Sequence, residues 1–365
     1  MTDDLATRFR LDLMHQLAAR DRVPACTPLQ ISPYIAMSLL QKAVRRGETA
    51  LALQAAATLH HSAPERLWRR IGGIAFEDIG IADLPALRLV SAALTGKRYR
   101  TNLGGEWAVA SFAVETLCRA WKSRASDDLF MTLEALPTLA QDRWQLAKLP
   151  EAQLQRIVGH DPGLHRRALA LLYMMGTDRP GGSLPARKGN TDRTFALLAE
   201  LGVAPSTLEI CRIGYRKTCE PLPPLVALLS LENGLRTGVV DDPLPLELMI
   251  NGIPGWALDM FTREGKQALT RLLMARTGVG EFASAILPPA NRVRFLGQVL
   301  FRVEGGQLIQ RVGGDLCDRL HSQLMFETLG VEPGLAVQSL DLMREDIPVL
   351  NRIRATILKG QSHEA

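Results

Sequence analysis

The chain has 365 residues, and its 43 Lys and Arg against 38 Asp and Glu give a formal net charge of +5. Apolar residues make up 47 % of it, enough for hydrophobic cores, which excludes an intrinsically disordered chain. No apolar run approaches the roughly 18 residues of a membrane span, and the five cysteines form no Cys-x-x-Cys pair. We therefore expect a cytoplasmic protein without membrane contact, metal or cofactor.

Apolar residues recur at helical spacing along nearly the whole chain, which predicts an all-α, multi-helical fold. Ser32 and Pro33 are typical of an N-cap and a first helical residue, and Gly47 is typical of a helix end. Two weakly alternating stretches, 298–304 and 308–312, are the strand candidates. The predicted helices cover residues 5–20, 33–46, 49–59, 64–80, 84–94, 106–124, 127–136, 151–158, 163–175, 191–201, 205–215, 224–231, 243–250 and 262–276, and several further helices are predicted up to Leu358.

Four Gly and two Pro fall within residues 176–190, a composition that predicts a linker or a long surface loop. It would separate a first helical domain, residues 1–175, from a second, residues 191–365. No stretch of sequence recurs at a fixed period, so a regular solenoid is not expected.

The positive charge is concentrated in one segment. Residues 31–100 contain ten basic and five acidic residues, whereas the two signs balance in the rest of the chain. A localised excess of this kind favours contact with a polyanion such as DNA, unless the cations pair with nearby carboxylates. The candidate nucleic-acid-binding residues are Lys42, Arg45, Arg46, Arg69, Arg70, Lys97, Arg98, Tyr99 and Arg100.

Two features of these candidates suggest a binding surface. Lys42, Arg45 and Arg46 have the i, i+3, i+4 spacing that places side chains on one face of a helix. Tyr99 lies among three cations, where its ring is available to stack on a base. The simpler interpretation of residues 97–100 is a solvated loop.

Glu77 and Asp78 are predicted to form structural ion pairs. They lie near the end of a predicted helix, where the macrodipole disfavours acidic groups, so we expect Arg69, Arg70 or Lys42 to compensate them. The adjacent Gly72 and Gly73 weaken the same helix, which suggests close approach of another segment or a local bend.

This region resembles part of a known protein family. The matching residues are Leu40-Gln41-Lys42, Arg45, Gly47, Leu67, Arg69-Arg70, Ala75-Phe76-Glu77-Asp78-Ile79-Gly80 and Ala82-Asp83. They resemble the helical region after the ATPase core in the replication-associated recombination protein A (RarA/MgsA) family of clamp-loader-like ATPases. The resemblance covers about 50 residues and implies a collar-like module at residues 31–95, used for oligomerisation and for work on DNA at replication forks.

The chain lacks the ATPase part of that family. It has no Gly-x-x-x-x-Gly-Lys-Ser/Thr loop and no apolar strand ending in paired acids. We therefore expect a non-catalytic, DNA-associated protein of replication, recombination or mobile-element biology. Two alternatives remain open. One is an oligomerising interaction module, a homo-oligomer that partners an ATPase in trans. The other is an unrecognised metal-dependent hydrolase or nuclease that uses Glu77, Asp78, Asp259 and Glu264.

Overall fold

The computed structural model describes residues 2–178, 182–233 and 238–361. Its residues are 71 % helical, with 19 α-helices and almost no sheet, which confirms the all-α, multi-helical fold. Among the described residues, no helix is long and apolar enough to cross a membrane.

The helices follow one another with short connections. In chain order they are α1 (Thr2–Ala18), α2 (Pro33–Arg45), α3 (Thr49–Ser62), α4 (Pro64–Ile74), α5 (Leu84–Leu94), α6 (Lys97–Asn102), α7 (Glu106–Arg119), α8 (Ala125–Ala135), α9 (Ala140–Ala147), α10 (Glu151–His160), α11 (Leu164–Met175), α12 (Thr191–Glu200), α13 (Pro205–Thr218), α14 (Leu222–Leu229), α15 (Arg263–Met274), α16 (Gly278–Ile286), α17 (Pro289–Leu300), α18 (Asp315–Glu327) and α19 (Pro333–Gln361). The strands are β1 (Gly238–Val240), β2 (Met249–Ile250), β3 (Ile253–Pro254) and β4 (Arg311–Gly313).

The chain forms two compact units, each assembled from separate stretches of sequence. Unit 1 comprises Met1–Val23, Ile71–Val239 and Val312–Leu324; unit 2 comprises Pro24–Arg70, Val240–Arg311 and Met325–Ala365. This division differs from the boundary that the sequence predicts at residues 176–190. The described part of that segment belongs to unit 1, where Thr177 donates to the carbonyl of Arg187 and Asn190 to that of Met174.

In unit 1, three helices distant in sequence pack together: α5 lies against both α1 and α13. Gly72 permits close packing in the same unit, because a Cβ there would lie 2.9 Å from the Thr218 methyl carbon and 3.3 Å from Leu94. Gly73 has open space around it. The close approach expected from this glycine pair therefore occurs at Gly72.

Unit 2 has its own hydrophobic core. α15, α16, α17 and α19 pack around apolar side chains such as Leu272, Val299 and Leu340, and α2 pairs with α3. β2 and β3 form a small antiparallel hairpin with Met249 opposite Pro254.

Each unit contains a π turn at the carboxyl end of a helix: Ala75–Ile79 follows α4, and Phe301–Gly305 follows α17. Each turn has a phenylalanine four residues before a glycine, Phe76 with Gly80 and Phe301 with Gly305. A π turn leaves several carbonyl groups without an intrahelical partner. Side chains from other elements of the same unit supply donors: Ser126 donates to the carbonyl of Phe76 at 2.7 Å in unit 1, and Arg45 and Arg46 donate to the turn of unit 2, as described below.

Two predictions of secondary structure are wrong. Residues 243–250 are predicted as a helix, but residues 243–248 have no regular secondary structure and β2 follows them. Pro243 and Pro245 disfavour the α conformation of Asp242 and Leu244 before them. Residues 298–304, predicted as a strand, form the end of α17 and its π turn. There the helical spacing of buried Leu296, Val299 and Val303 prevails over the weak alternation.

Candidate functional site

Unit 1 contains a groove with a volume of about 360 Å³ between α1, the end of α5 and α13. Three apolar side chains contribute to its wall, Ala6, Leu94 and Ile213, together with Thr95. Its other lining residues are charged: Arg10, Glu209, Arg212, Arg216 and Lys217. We call this feature the cationic groove, since four of these five charged residues are basic.

The local sequence explains how the cations converge. Arg212 and Arg216 are four residues apart on α13 and therefore share one face of the helix. Arg216 and Lys217 lie in its last turn, where the macrodipole stabilises positive charge. Arg10 comes from α1, which packs against the same part of α5 and α13.

The four cations of the groove have little compensation. None of them forms an ion pair with another residue in the described part of the chain, although Arg212 lies over the ring of Phe195 at 5.6 Å. The single carboxylate of the lining, Glu209, is buried on α13. Like charges gathered in this way repel one another, and an anion that neutralises them is bound favourably.

A tyrosine connects this groove to the basic turn that the sequence singles out. The Tyr99 hydroxyl donates to the carbonyl oxygen of Arg10 at 2.7 Å, and the Arg10 guanidinium lies 5.6 Å from the centre of the Tyr99 ring. Partial burial raises the pKa of Tyr99, and Arg10 opposes that shift. Lys97 and Arg98 are exposed on the same short helix, α6, directly after the groove residue Thr95.

Other cations predicted to form a basic surface are buried. Lys42, Arg45 and Arg46, exposed by 3, 2 and 6 %, lie in the interior of unit 2. Lys42 donates to Ser38 at 2.6 Å and to Asp259 at 2.5 Å. Burial lowers the pKa of Lys42, against the opposing effect of Asp259. These three residues therefore do not belong to an exposed basic surface.

The same helix face supports the π turn of unit 2. Arg45 donates to the carbonyl of Gly305 at 2.5 Å, and Arg46 donates to that of Glu304 at 2.9 Å. The two guanidinium groups also lie over aromatic rings, Phe301 for Arg45 and Trp256 for Arg46. The i, i+3, i+4 spacing that suggests a DNA-binding face thus provides donors for orphan carbonyls at a helix end.

The remaining basic candidates differ in how far they are buried. Arg100 is buried and donates to Glu106 at 2.8 Å and to the carbonyl of Ala93 at 3.1 Å, so its role is structural. Arg70 is half-buried and donates to Gln41 at 2.7 Å. Arg69 is exposed, as are Lys97 and Arg98. Of the nine predicted binding residues, four are therefore buried, which corrects the expected surface.

Glu77 and Asp78 form ion pairs with Arg124, at 3.1 and 2.9 Å. The partners expected from the sequence were Arg69, Arg70 or Lys42. Arg124 is buried and also pairs with Asp127 and, at 3.8 Å, with Asp128. Burial raises the pKa of Asp127 to about 8; Arg124 opposes this, and the three nearby carboxylates add to it.

The four acidic residues of the hydrolase alternative are divided between the units. Asp259 and Glu264 belong to unit 2, whereas Glu77 and Asp78 belong to unit 1. Asp259 forms an ion pair with Lys42. Glu264 is buried in the first turn of α15, whose N-cap is Thr262. Within residues 2–178, 182–233 and 238–361, no group of three or more His, Cys, Asp or Glu side chains is suited to hold a metal ion.

Sequence reasoning missed the residues that form most of the cationic groove: Arg10, Arg212, Arg216 and Lys217. The closely spaced cations of α13 were a readable signal, since Arg212, Arg216 and Lys217 fall within six residues. A charge count over residues 176–365 does not show them, because that segment contains equal numbers of basic and acidic residues. The chain matches no family model, no curated protein and no solved structure, so the site's geometry alone supports a function.

Proposed function

We propose that this protein binds the phosphate backbone of a nucleic acid through the cationic groove of unit 1. The supporting observation is that four basic side chains line one groove without an ion-pair partner among the described residues. Phosphates are the anions that such groups bind most readily, through charge-assisted hydrogen bonds from Arg and point-charge contacts from Lys.

An extended polyanion fits the site better than a compact apolar ligand. Pockets for small molecules are lined mostly by apolar and aromatic side chains, whereas this groove has five charged groups and three apolar ones. The exposed cations Lys97 and Arg98 continue the positive charge beyond its edge. Several phosphates of one strand can therefore be neutralised together, releasing counterions.

Tyr99 has a positioning role in this proposal. Its hydroxyl and ring are both occupied by Arg10, so the residue holds that guanidinium at the groove. The binding residues are then Arg10, Lys97, Arg98, Arg212, Arg216 and Lys217. Association with replication or recombination, and with a partner ATPase, remains a prediction from the family resemblance.

Fluorescence anisotropy with labelled single-stranded and duplex oligonucleotides tests the proposal. We expect Arg212→Glu/Arg216→Glu to weaken binding by at least about tenfold, and each lost phosphate contact to reduce the salt slope by about 1. The matched control is Arg294→Glu/Arg352→Glu, which makes the same charge change on exposed arginines of unit 2. Equal loss in both double variants, or unchanged binding in the groove variant, contradicts a groove-specific site.

A further inference from the structure

Unit 2 has several exposed apolar side chains on one short segment, residues 244–249. Leu244, Leu246 and Leu248 are 41, 92 and 45 % exposed, and the neighbouring Met249 is 50 % exposed. These four exposed side chains fall within six consecutive residues. We call Leu244, Leu246 and Leu248 the leucine ridge. Exposed apolar groups gathered in this way mark interaction sites rather than ordinary surface.

The ridge is held in place at both ends. On one side, Asp242 accepts from the backbone N–H of Leu308 at 3.0 Å and from Arg311 at 2.7 Å. On the other, the carbonyl of Leu248 accepts from Gly255 at 2.8 Å, where the β2–β3 hairpin begins. Pro243 and Pro245 restrict the backbone between these anchors. A pre-ordered segment loses less conformational entropy on docking than a flexible loop does.

The charge around the ridge identifies the surface it fits. Two exposed carboxylates, Asp241 and Glu247, lie beside the ridge. They accept hydrogen bonds from the N–H groups of Gln310 and of the Trp256 indole, whereas Asp242 and Asp259 are paired with Arg311 and Lys42. Two ridges facing each other would therefore bring like charges together, which disfavours a symmetric ridge-to-ridge dimer. A complementary surface has apolar contact area surrounded by cations.

The cationic groove of unit 1 has that combination. Ala6, Leu94 and Ile213 provide apolar wall, and Arg10, Arg212, Arg216 and Lys217 provide positive charge. We propose that the leucine ridge of one copy of this chain docks in the cationic groove of a second copy. Leu246 enters against the apolar wall, while Asp241 and Glu247 face the groove cations. The contact is heterologous, because two different surfaces meet.

This inference shares the groove with the proposed function but does not require nucleic acid. It predicts competition, since a bound polyanion occupies the same four cations. Self-association would then decrease as nucleic acid is added, and the groove would exchange one occupant for the other.

Sedimentation velocity on the full chain at low ionic strength tests the contact. We expect wild type to self-associate, and Leu246→Asp to weaken the association by about tenfold or more. Met274→Asp is the matched control, because Met274 is 74 % exposed in the same unit outside the ridge. Circular dichroism verifies that each variant is folded. A wild type that stays monomeric at every concentration, or a Leu246→Asp variant that associates like wild type, overturns the proposal.

Mixing two defective variants distinguishes the heterologous contact from any symmetric one. Leu246→Asp retains its groove, and Arg212→Glu/Arg216→Glu retains its ridge, so together they should form a 1:1 complex although each alone is monomeric. Absence of that complex overturns the heterologous contact. A complex that forms although Leu246→Asp on its own, with its groove free, binds no oligonucleotide leaves this inference standing and refutes the proposed function. Oligonucleotide binding by Leu246→Asp on its own, with no complex in the mixture, supports the proposed function and overturns this inference.

Discussion

The hydroxyl of Tyr99 donates to the carbonyl oxygen of Arg10 at 2.7 Å, while the guanidinium of Arg10 lies over the ring of the same tyrosine. One side chain on α6 thus fixes both the backbone and the side chain of a groove residue on α1. The basic turn at residues 97–100 therefore acts on the site partly through an aromatic residue.

The two contacts of Tyr99 can be separated by substitution. We expect Tyr99→Phe to remove only the hydrogen bond, at a cost of about 1 kcal/mol in the free energy of unfolding, and to leave oligonucleotide binding close to wild type. Tyr99→Ala also removes the cation–π contact, worth about 0.5–1 kcal/mol, and should weaken binding several-fold. Urea unfolding and anisotropy measure the two effects. If Tyr99→Phe weakens binding as much as Tyr99→Ala does, the ring does not position Arg10.

The buried pair of unit 2 gives a second prediction. Lys42→Met leaves the Asp259 carboxylate buried without its cation and should lower the free energy of unfolding by roughly 3–5 kcal/mol. Lys42→Met/Asp259→Asn removes both charges, and the asparagine oxygen can still accept from the N–H of Phe261, so stability should be partly restored. Denaturant unfolding followed by circular dichroism checks this, and a double variant no more stable than Lys42→Met argues against it.

The buried positions of Lys42, Arg45 and Arg46 show what could not be predicted about the site from the sequence. Their spacing correctly indicates a shared helix face, and nothing in composition distinguishes a solvated face from one that binds carbonyl groups. The deciding partner, the π turn at residues 301–305, lies some 250 residues away in sequence. Reversal of Arg45 and Arg46 to Glu should therefore unfold unit 2 rather than abolish binding alone.

Most of the fold could be predicted from the sequence because helices are encoded by local sequence patterns. Ser32 caps α2 by accepting from the N–H of Ile35, and α5 spans the predicted residues 84–94, capped by Asp83. The wrong predictions arise where contacts with residues distant in sequence override the local sequence pattern. The two π turns depend on donors supplied from elsewhere, and the cationic groove needs α1, α5 and α13 to meet, which no short-range pattern specifies.

The cluster around Arg124 predicts a pH effect. The pKa of Asp127 rises from an ordinary 3.8 to about 8, so between these values the folded chain holds a proton that the unfolded chain has lost. Stability from this group is therefore present at low pH and is lost as pH rises towards 8. Asp127→Asn should flatten that decline by on the order of 1 kcal/mol per pH unit, whereas Asp127→Glu, which keeps a carboxyl, should not. Thermal unfolding across this range shows which of the two variants departs from wild type.

The adjacent glycines of α4 provide a prediction in which neighbouring positions respond in opposite directions. Gly73→Ala meets open space and should stabilise unit 1 by about 0.5–1 kcal/mol, because alanine loses less backbone entropy in a helix. At Gly72 the same change brings a Cβ within 2.9 Å of the Thr218 methyl carbon, which must move, so we expect destabilisation. Thr218→Ser removes that methyl and keeps the hydroxyl that donates to Gly214, so Gly72→Ala should cost less in that background. Thermal melts of the four variants decide the matter; a Gly72→Ala variant as stable as Gly73→Ala would show that α4 does not need the close approach.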